Sequence, residues 1–442
     1  MRRCKVLICV LLLASLSLTL WAGGQREGAA AKKTPLRVLV FMGAEDPYSK
    51  TIRSMIEKFK ADNADWLNLE VESAAGDDMK TKLRIDIAAN NLADVFMYWG
   101  AASSIATFVD AGLVLDIQKY LDVSKNVKKE DFSSGAWSMY AMNGKVWGLP
   151  ELGGIGWWAC NKELFAKYGL AFPKTYEELL AVSKVFNENG IVPLAMGSKE
   201  GNPGHFFLSE LACQRADGVK DMQDIYSTWK FDTPANRWAC ELIDDMRQNG
   251  VFPNDTVANG DWNPSFALYN NEKAAMVYTF TWMAGAMRPE IVEKTVLIPT
   301  PKMPGSTVDP NTFVSKHGNR GSMINAKSWG DAGKQKAIVA WMDFMASKYW
   351  HERILYEAGD VVVRQGIDID EAKLPTMLAN VLDYSSKREG MTNHWINFPH
   401  PKPWADCQNF LDELFAGSMT PDAYVKKIQE SLDKTKAELG MK

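Results

Sequence analysis

Between residues 36 and 98 the apolar positions switch back and forth between two periods. Residues 36–42 (LRVLVFM) form a nearly unbroken apolar run, as a buried strand requires. Ile52, Met55, Ile56 and Phe59 then recur at helical spacing, and residues 67–72 (LNLEVE) alternate as a strand does. Met79, Leu83 and Ile87 return to the helical period, and residues 94–98 (DVFMY) make a third strand. The order β-α-β-α-β implies a parallel sheet covered by helices. Such sheets bind ligands beyond the carboxyl ends of their strands. That rule singles out Glu45 and Asp46 after the first strand, and Tyr98 and Trp99 at the end of the third.

A second α/β region follows. Residues 145–150 (KVWGLP) and 155–160 (IGWWAC) read as strands joined by the Gly153-Gly154 link. Thr175 with Glu178 three residues on is a capping-box pattern, Leu179, Val182, Ser183 and Phe186 make the inner face of the helix, and Gly190 ends it. Residues 191–196, 274–280, 295–299 and 321–325 read as further strands. Three helices close the chain, around 331–350, 371–382 and 421–438; the last opens with Thr420 as cap and Pro421 at the first helical position.

The extreme N-terminus carries a different pattern. Arg2, Arg3 and Lys5 precede an apolar segment from Val6 to Trp21, and Ala22, Gly23 and Gly24 supply small residues for cleavage. The run is shorter than the roughly 20 residues that span a bilayer. Residues 1–24 therefore read as a cleaved export signal and residues 25–34 (QREGAAAKKT) as a flexible leader. A lipoprotein signal needs a Cys at the cut, and none lies between Cys9 and Cys160, so no lipid anchor is expected. No later segment reaches eighteen consecutive apolar residues, which predicts a soluble periplasmic or extracellular protein.

A chain of 442 residues allows two or three domains at roughly 100–200 residues each. A formal net charge of −4 argues against a nucleic-acid partner, whose phosphates need a basic face. Beyond the signal, Cys160, Cys213, Cys240 and Cys407 match no zinc spacing. Export permits a Cys213–Cys240 disulfide, and free buried thiols are equally compatible with the sequence.

Residues 143–150 (NGKVWGLP), 161–170 (NKELFAKYGL), 173–180 (PKTYEELL) and 271–285 (NEKAAMVYTFTWMAG) occur in an order and spacing that resemble the extracellular solute-binding proteins of ABC importers, the family that includes maltose-binding protein. The resemblance runs from about residue 36 to residue 438. It departs from the family at Cys160, where Tyr usually precedes the Asn-Lys pair, and at Tyr278-Thr279-Phe280-Thr281, where Gly is usual. It implies an α/β, two-lobe periplasmic-binding-protein fold of type II, each lobe a sheet flanked by helices, with the ligand cleft between lobes. The first lobe would hold residues 35–149 and 285–327, the second residues 150–284 and 328–442. It further implies a monomer that needs no cofactor, captures a sugar, and hands it to a membrane ABC permease; a sensory protein serving a chemoreceptor is the alternative.

Sugar recognition needs flat rings against C–H faces and polar groups against hydroxyls. Sixteen Trp, one of them Trp21 in the export segment, fit that need. The candidate ligand-binding residues are Glu45, Asp46, Trp99, Glu151, Trp157, His205, Trp262, Trp282, Arg320, Asp360 and Trp395. Several have a structural alternative: Asp46 as a helix cap before Pro47, Trp157 or Trp158 as core, His205 as a loop residue in GNPGHFF, Arg320 in an ion pair between lobes. Trp238, Trp341 and Trp350 sit in helical apolar patterns and read as core. No enzyme is expected. A glycosidase needs two acids facing each other across the scissile bond, whereas Asp77-Asp78 and Asp244-Asp245 are sequence neighbours that do not share a helix face. No nucleophile elbow or phosphate loop is present. Five His at unsuitable spacings predict no metal site.

Overall fold

The computed structural model describes residues 33–43 and 45–441, apart from the side chain of residue 77. The expected export signal and all but the last two residues of the leader lie outside the described residues. Thr34, assigned to the leader, already opens strand β1 (Thr34–Phe41).

Strand β1 lies between β2 (Leu67–Ala74) and β3 (Val95–Trp99) and is parallel to both, as the sequence order requires. The strands β4 (Ala141–Met142) and β5 (Lys145–Val146) form a small hairpin, closed by Asn143 and Gly144, both at positive φ, as a tight two-residue turn demands. The expected strand 145–150 is thus split: β6 (Leu149–Pro150) leaves the hairpin after Gly148, where a Cβ would come within 2.5 Å of the Tyr140 ring. β6 joins the first sheet through β12 (Arg320–Ile324), which runs antiparallel to β3 with Arg320 opposite Trp99. The sheet order is β2-β1-β3-β12-β6, so the sheet is mixed rather than wholly parallel.

The second sheet is built on β7 (Gly153–Asn161), whose nine residues are all buried. β9 (Ala274–Phe280) pairs with one edge of β7 and is flanked by the parallel β8 (Val192–Ala195). β11 (Phe313–Gly318) and β10 (Thr295–Ile298) also pair antiparallel with β7, and the short β13 (Glu389–Met391) adds to β11.

These pairings correct the expected lobe division. Residues 285–327 were assigned with the first sheet, yet β10 and β11 join the second and only β12 joins the first. A strand buried on both faces needs partners on both edges, and β10 and β11 satisfy β7. Residues 328–442 were assigned with the second sheet, yet the helix Ala332–Ala346 packs on β1. Its buried stripe of Ala337, Ile338, Trp341, Met342 and Met345 shares an apolar cluster with Val38, Val40, Ile52 and Phe59.

Local signals explain where the main helices begin. Asp46 caps the helix Pro47–Asp62, with Oδ1 accepting from the Ser49 amide at 2.8 Å and Oδ2 from the Ser49 hydroxyl at 2.6 Å. Thr175 Oγ1 accepts from the Glu178 amide, while Glu178 reaches back to the Lys174 amide at 2.7 Å, one residue earlier than the capping box predicts. Thr420 caps Pro421–Glu438 as the sequence indicates. The expected helix 331–350 is two helices, Ala332–Ala346 and Lys348–Arg353, and the expected 371–382 is Thr376–Ser386. The helix Pro401–Ala416, whose first turn reads PKPW, carries no periodic signal picked out above. Proline is tolerated there because those amides lack intrahelical partners anyway. Trp341 and Trp350 are core as expected, but Trp238 is half-buried at the surface, its indole donating to Pro304 O at 3.0 Å. The four cysteines among the described residues, Cys160, Cys213, Cys240 and Cys407, are buried free thiols. No described helix is long and apolar enough to cross a membrane.

Candidate functional site

An aromatic bowl forms where the second sheet meets the first. Phe280 ends β9, and the following turn Thr281–Ala286 folds Trp282 back over it, with rings 4.6 Å apart and nearly parallel at 11°. Trp262, the first residue of the helix Trp262–Asn270, meets Trp282 edge-on at 5.1 Å. Phe206, in the helix Gly204–Ala212, packs at 4.6 Å from Phe280 and 5.8 Å from Trp282. His317, near the end of β11, lies parallel to Phe206 at 5.6 Å. Trp395, in the short helix His394–Asn397, stands perpendicular to His317 at 5.7 Å. Trp262 and Trp282 stay half-buried, whereas Phe206, Phe280 and Trp395 are buried.

The first sheet offers a smaller aromatic group. Trp99, at the end of β3, packs edge-on against Phe41 at 5.4 Å and Tyr98 at 5.1 Å, with the Lys80 ammonium 5.8 Å from its ring centre. The two sides touch. The Ser103 hydroxyl, in the helix Ala102–Asp110 after β3, donates to Trp395 O at 3.1 Å. One apolar cluster runs from Leu39 and Phe96 in the first sheet to Phe206, Phe280 and Trp395 around the second.

Where the chain passes between the sheets, three segments are bonded together. The Glu151 and Leu152 amides both donate to Arg320 O, the Asn319 amide to Leu152 O, and the Gly153 amide to Val361 O. Each segment contributes one buried charged residue: Glu151, Arg320 and Asp360. Glu151 Oε1 accepts from the Trp350 indole at 2.6 Å and from the Tyr48 hydroxyl at 3.4 Å. The Arg320 guanidinium lies over the Phe41 and Tyr48 rings at 4.1 and 4.3 Å. Burial pushes the Glu151 carboxyl up to about 7 and the Asp360 carboxyl up to about 6, with Arg320 opposing both shifts. Burial works against the charge on Arg320 too, but Tyr48, Asp360 and Glu151 outweigh it and hold the guanidinium charged. Arg320 acts on both carboxyls through its charge, but no ion pair within 4 Å joins them, and Arg320 Nε and Glu151 Oε2 are buried without a hydrogen-bond partner.

The sequence candidates thus fall into separate places. Trp262, Trp282 and Trp395 meet in the bowl, Trp99 lies on the opposing sheet, and Glu151, Arg320 and Asp360 meet at the crossings. Glu45 does not join them; its side chain is 73% exposed and pairs with Arg53 and Lys50. Asp46 is engaged as a helix cap. Trp157 and Trp158 were expected to alternate, one toward the cleft, yet both are buried in core. Trp157 joins Phe266, Tyr269 and Val277, and Trp158 packs at 5.7 Å from Phe207. His205 lies in the first helical turn of Gly204–Ala212 rather than in a loop, bonded to Asn202 Oδ1 at 3.0 Å and edge-on to Trp404 at 4.9 Å. Phe206, Phe280 and His317 were not singled out. Phe280 ends the expected strand 274–280, so the strand-end rule applied there would have found it; β11, which carries His317, is not among the strands the sequence shows. Among the described residues no group of three or more His, Cys, Asp or Glu is placed to hold a metal ion.

Comparison with known proteins places this architecture. The family model of bacterial extracellular solute-binding proteins matches residues 44–350, and the chain belongs to that family. Over 320 residues it is 26% identical to the fructooligosaccharide ABC transporter substrate-binding protein FusA of Streptococcus pneumoniae, covering 62% of this chain and 56% of that protein. Over 290 residues it is 20% identical to the multiple sugar-binding protein of Streptococcus mutans, covering 63% and 65%. The chain therefore spans between about half and two-thirds of the length of the curated relatives it matches. Among solved structures, a chitin oligosaccharide binding protein superposes with a TM-score of 0.79 at 20% identity, covering 92% of this chain and all of that one (100%). Maltose-bound MalE3 of T. maritima superposes at 0.72 and 17% identity, covering 90% and 99%. The fold is the α/β two-lobe fold of these binding proteins.

Proposed function

We propose that this chain is the substrate-binding component of an ABC importer, which captures an oligosaccharide between its lobes and delivers it unchanged to a membrane permease. The observation that carries the reading is the bowl of Trp262, Phe280, Trp282 and Trp395 around the second sheet, with Trp99 and Phe41 on the first. Flat apolar rings match the C–H faces of a pyranose or furanose, and polar groups at their margins match its hydroxyls. The relatives named for fructooligosaccharide and multiple-sugar binding support that ligand class. The sheet pairings support lobes of residues 34–150 with 320–358, and 153–318 with 361–441. Ligand contacts made to both lobes would favour the closed form. The protein acts as a monomer in the periplasm or outside the cell, released there by removal of residues 1–24, without a lipid anchor or cofactor.

Purified protein should show a raised melting temperature with at least one of 1-kestose, maltotriose and chitotriose, because a ligand bound only by the folded state stabilises it. No shift with any of them, together with release of shorter sugars, would favour a hydrolase instead. Mass analysis of protein recovered from the periplasm should give a chain starting after residue 24.

A further inference from the structure

We propose that His317 is the polar anchor of the aromatic bowl: Nε2 of its neutral imidazole accepts a hydrogen bond from a ligand hydroxyl, and the Trp395 indole N–H donates to a neighbouring ligand oxygen. The site would thereby select an uncharged, hydroxyl-rich ligand. This inference rests on the carbohydrate reading above and names the pair of groups that gives it selectivity.

The tautomer follows from geometry. His317 Nδ1 lies 2.6 Å from Gly318 O. A carbonyl oxygen only accepts, so Nδ1 carries the proton and Nε2 presents a lone pair. The ring is 9% exposed, and Nε2 is buried with no hydrogen-bond partner. The Trp395 indole nitrogen is in the same condition on a side chain 6% exposed. One is an acceptor and the other a donor, on rings 5.7 Å apart and perpendicular. Buried polar groups are seldom left unpaired in folded proteins, and an orphaned pair of opposite sense inside a ligand bowl points to what fills it. A sugar hydroxyl both donates and accepts, so adjacent hydroxyls on one ring would satisfy both.

The surroundings bear this out. Phe206, Phe280 and Trp282 enclose the imidazole within 6.3 Å, and none of them carries charge. Burial pushes the imidazole down to about 4, so it stays neutral at physiological pH. Gly154 of β7 faces the same edge. A Cβ there would come within 3.1 Å of His317 Cε1 and 2.7 Å of Trp282 Cζ3, so only glycine leaves both ring edges clear of the strand. A ligand carboxylate would meet a lone pair at Nε2 rather than a donor. At this position the bowl therefore disfavours uronic acids.

The test is titration calorimetry with 1-kestose, maltotriose, chitotriose and the acidic trisaccharide trigalacturonate. The wild type should bind at least one neutral sugar and not the acidic one. His317→Phe keeps a flat ring but removes the acceptor, and should bind that sugar about tenfold more weakly, the loss of one buried hydrogen bond. Its melting temperature without ligand should be equal to or above that of the wild type. Trp395→Phe should weaken binding in the same direction. In unmodified protein labelled with nitrogen-15 at histidine, the His317 Nε2 resonance should move on adding the sugar in the direction of an accepted hydrogen bond. That measurement decides the matter if His317→Phe does not fold. Binding of the neutral sugar within twofold of wild type by His317→Phe, an unmoved Nε2 resonance, or equal affinity for trigalacturonate overturns this inference and leaves the carbohydrate reading intact. No binding of any neutral sugar by the wild type overturns both.

Discussion

Replacing Glu151 by Gln should stabilise the protein in alkali and leave it nearly unchanged in acid. Glu151 is 3% exposed, and burial raises its carboxyl from the ordinary 4.5 to about 7, despite the Trp350 bond and the attraction of Arg320. The folded chain therefore holds this proton where the unfolded chain has released it. A group whose folded pKa is raised contributes stability in full below its unfolded pKa and loses that contribution as pH climbs through the folded value. Here the window runs from about 4.5 to about 7. A gap of about 2.5 pH units, at about 1.4 kcal/mol per unit, comes to about 3 kcal/mol. Gln offers an oxygen to the Trp350 indole and the Tyr48 hydroxyl, and it carries no charge at any pH.

The unfolding free energy of Glu151→Gln relative to wild type, from urea titrations, should thus rise by about 3 kcal/mol between pH 4.5 and pH 8. Asp360 titrates in the same range and its charge raises Glu151 further, so the comparison reads Glu151 together with that coupling. A difference that does not change with pH, or one that moves in favour of the wild type in alkali, would mean that Arg320 holds an ionised Glu151 at a profit.

Four further outcomes follow from the same structure. Trp282→Ala and Trp99→Ala should each abolish the sugar-induced rise in melting temperature while the unliganded protein stays folded by circular dichroism; unchanged shifts in both variants would place the ligand elsewhere. Asp46→Ala should cost about 1 kcal/mol of stability through loss of the cap while sugar affinity stays within twofold, which separates capping from ligand contact. His351 is fully buried and pushed down to about 4, so its contribution is complete above pH 6.5 and lost as pH falls toward 4; His351→Phe should remove about 3 kcal/mol of that acid-side loss in urea titrations. Gly154→Ala should cost about 1–3 kcal/mol by overpacking and should weaken sugar binding, since the added methyl displaces the Trp282 and His317 edges; calorimetry and thermal unfolding read the two effects separately.

What the sequence made legible is what depends on neighbours in the chain. The strands β1 to β3 and their crossover helices were readable because period and cap are local, and Trp99 and Trp282 stood out as candidates because one ends a strand and the other lies just past one. Sheet membership was not readable for β10, β11 and the helix Ala332–Ala346, because it is decided by distant partners: an all-buried β7 that needs both edges covered, and a β1 face that needs Trp341 and Ile338. Asp46 shows a limit of another kind. A carboxylate before Pro47 suits a helix cap and a hydroxyl alike, and only its two bonds to Ser49 decide where it is engaged. His317 escaped notice for a related reason, since a lone histidine on a strand reads as ordinary core until its unpaired nitrogen is seen among aromatic rings.

Glu151, Arg320 and Asp360 come from the three segments that join the sheets; Glu151 bonds Tyr48 and Trp350, while Arg320 lies over Tyr48 and over Phe41, which packs against Trp99. The bowl itself holds aromatic rings and a neutral imidazole. Buried charge therefore gathers at the crossings and the rings around His317 carry none, while Lys80 lies over Trp99 on the first-sheet side. A change at Glu151 acts on the balance of the crossings and leaves the rings in place, whereas a change at Trp282 or His317 acts on the bowl and leaves the crossings intact. Pairing Glu151→Gln with His317→Phe should accordingly give additive effects on sugar affinity, because the two side chains share no partner. Coupling above about 0.5 kcal/mol in that cycle would show that crossings and bowl are one network.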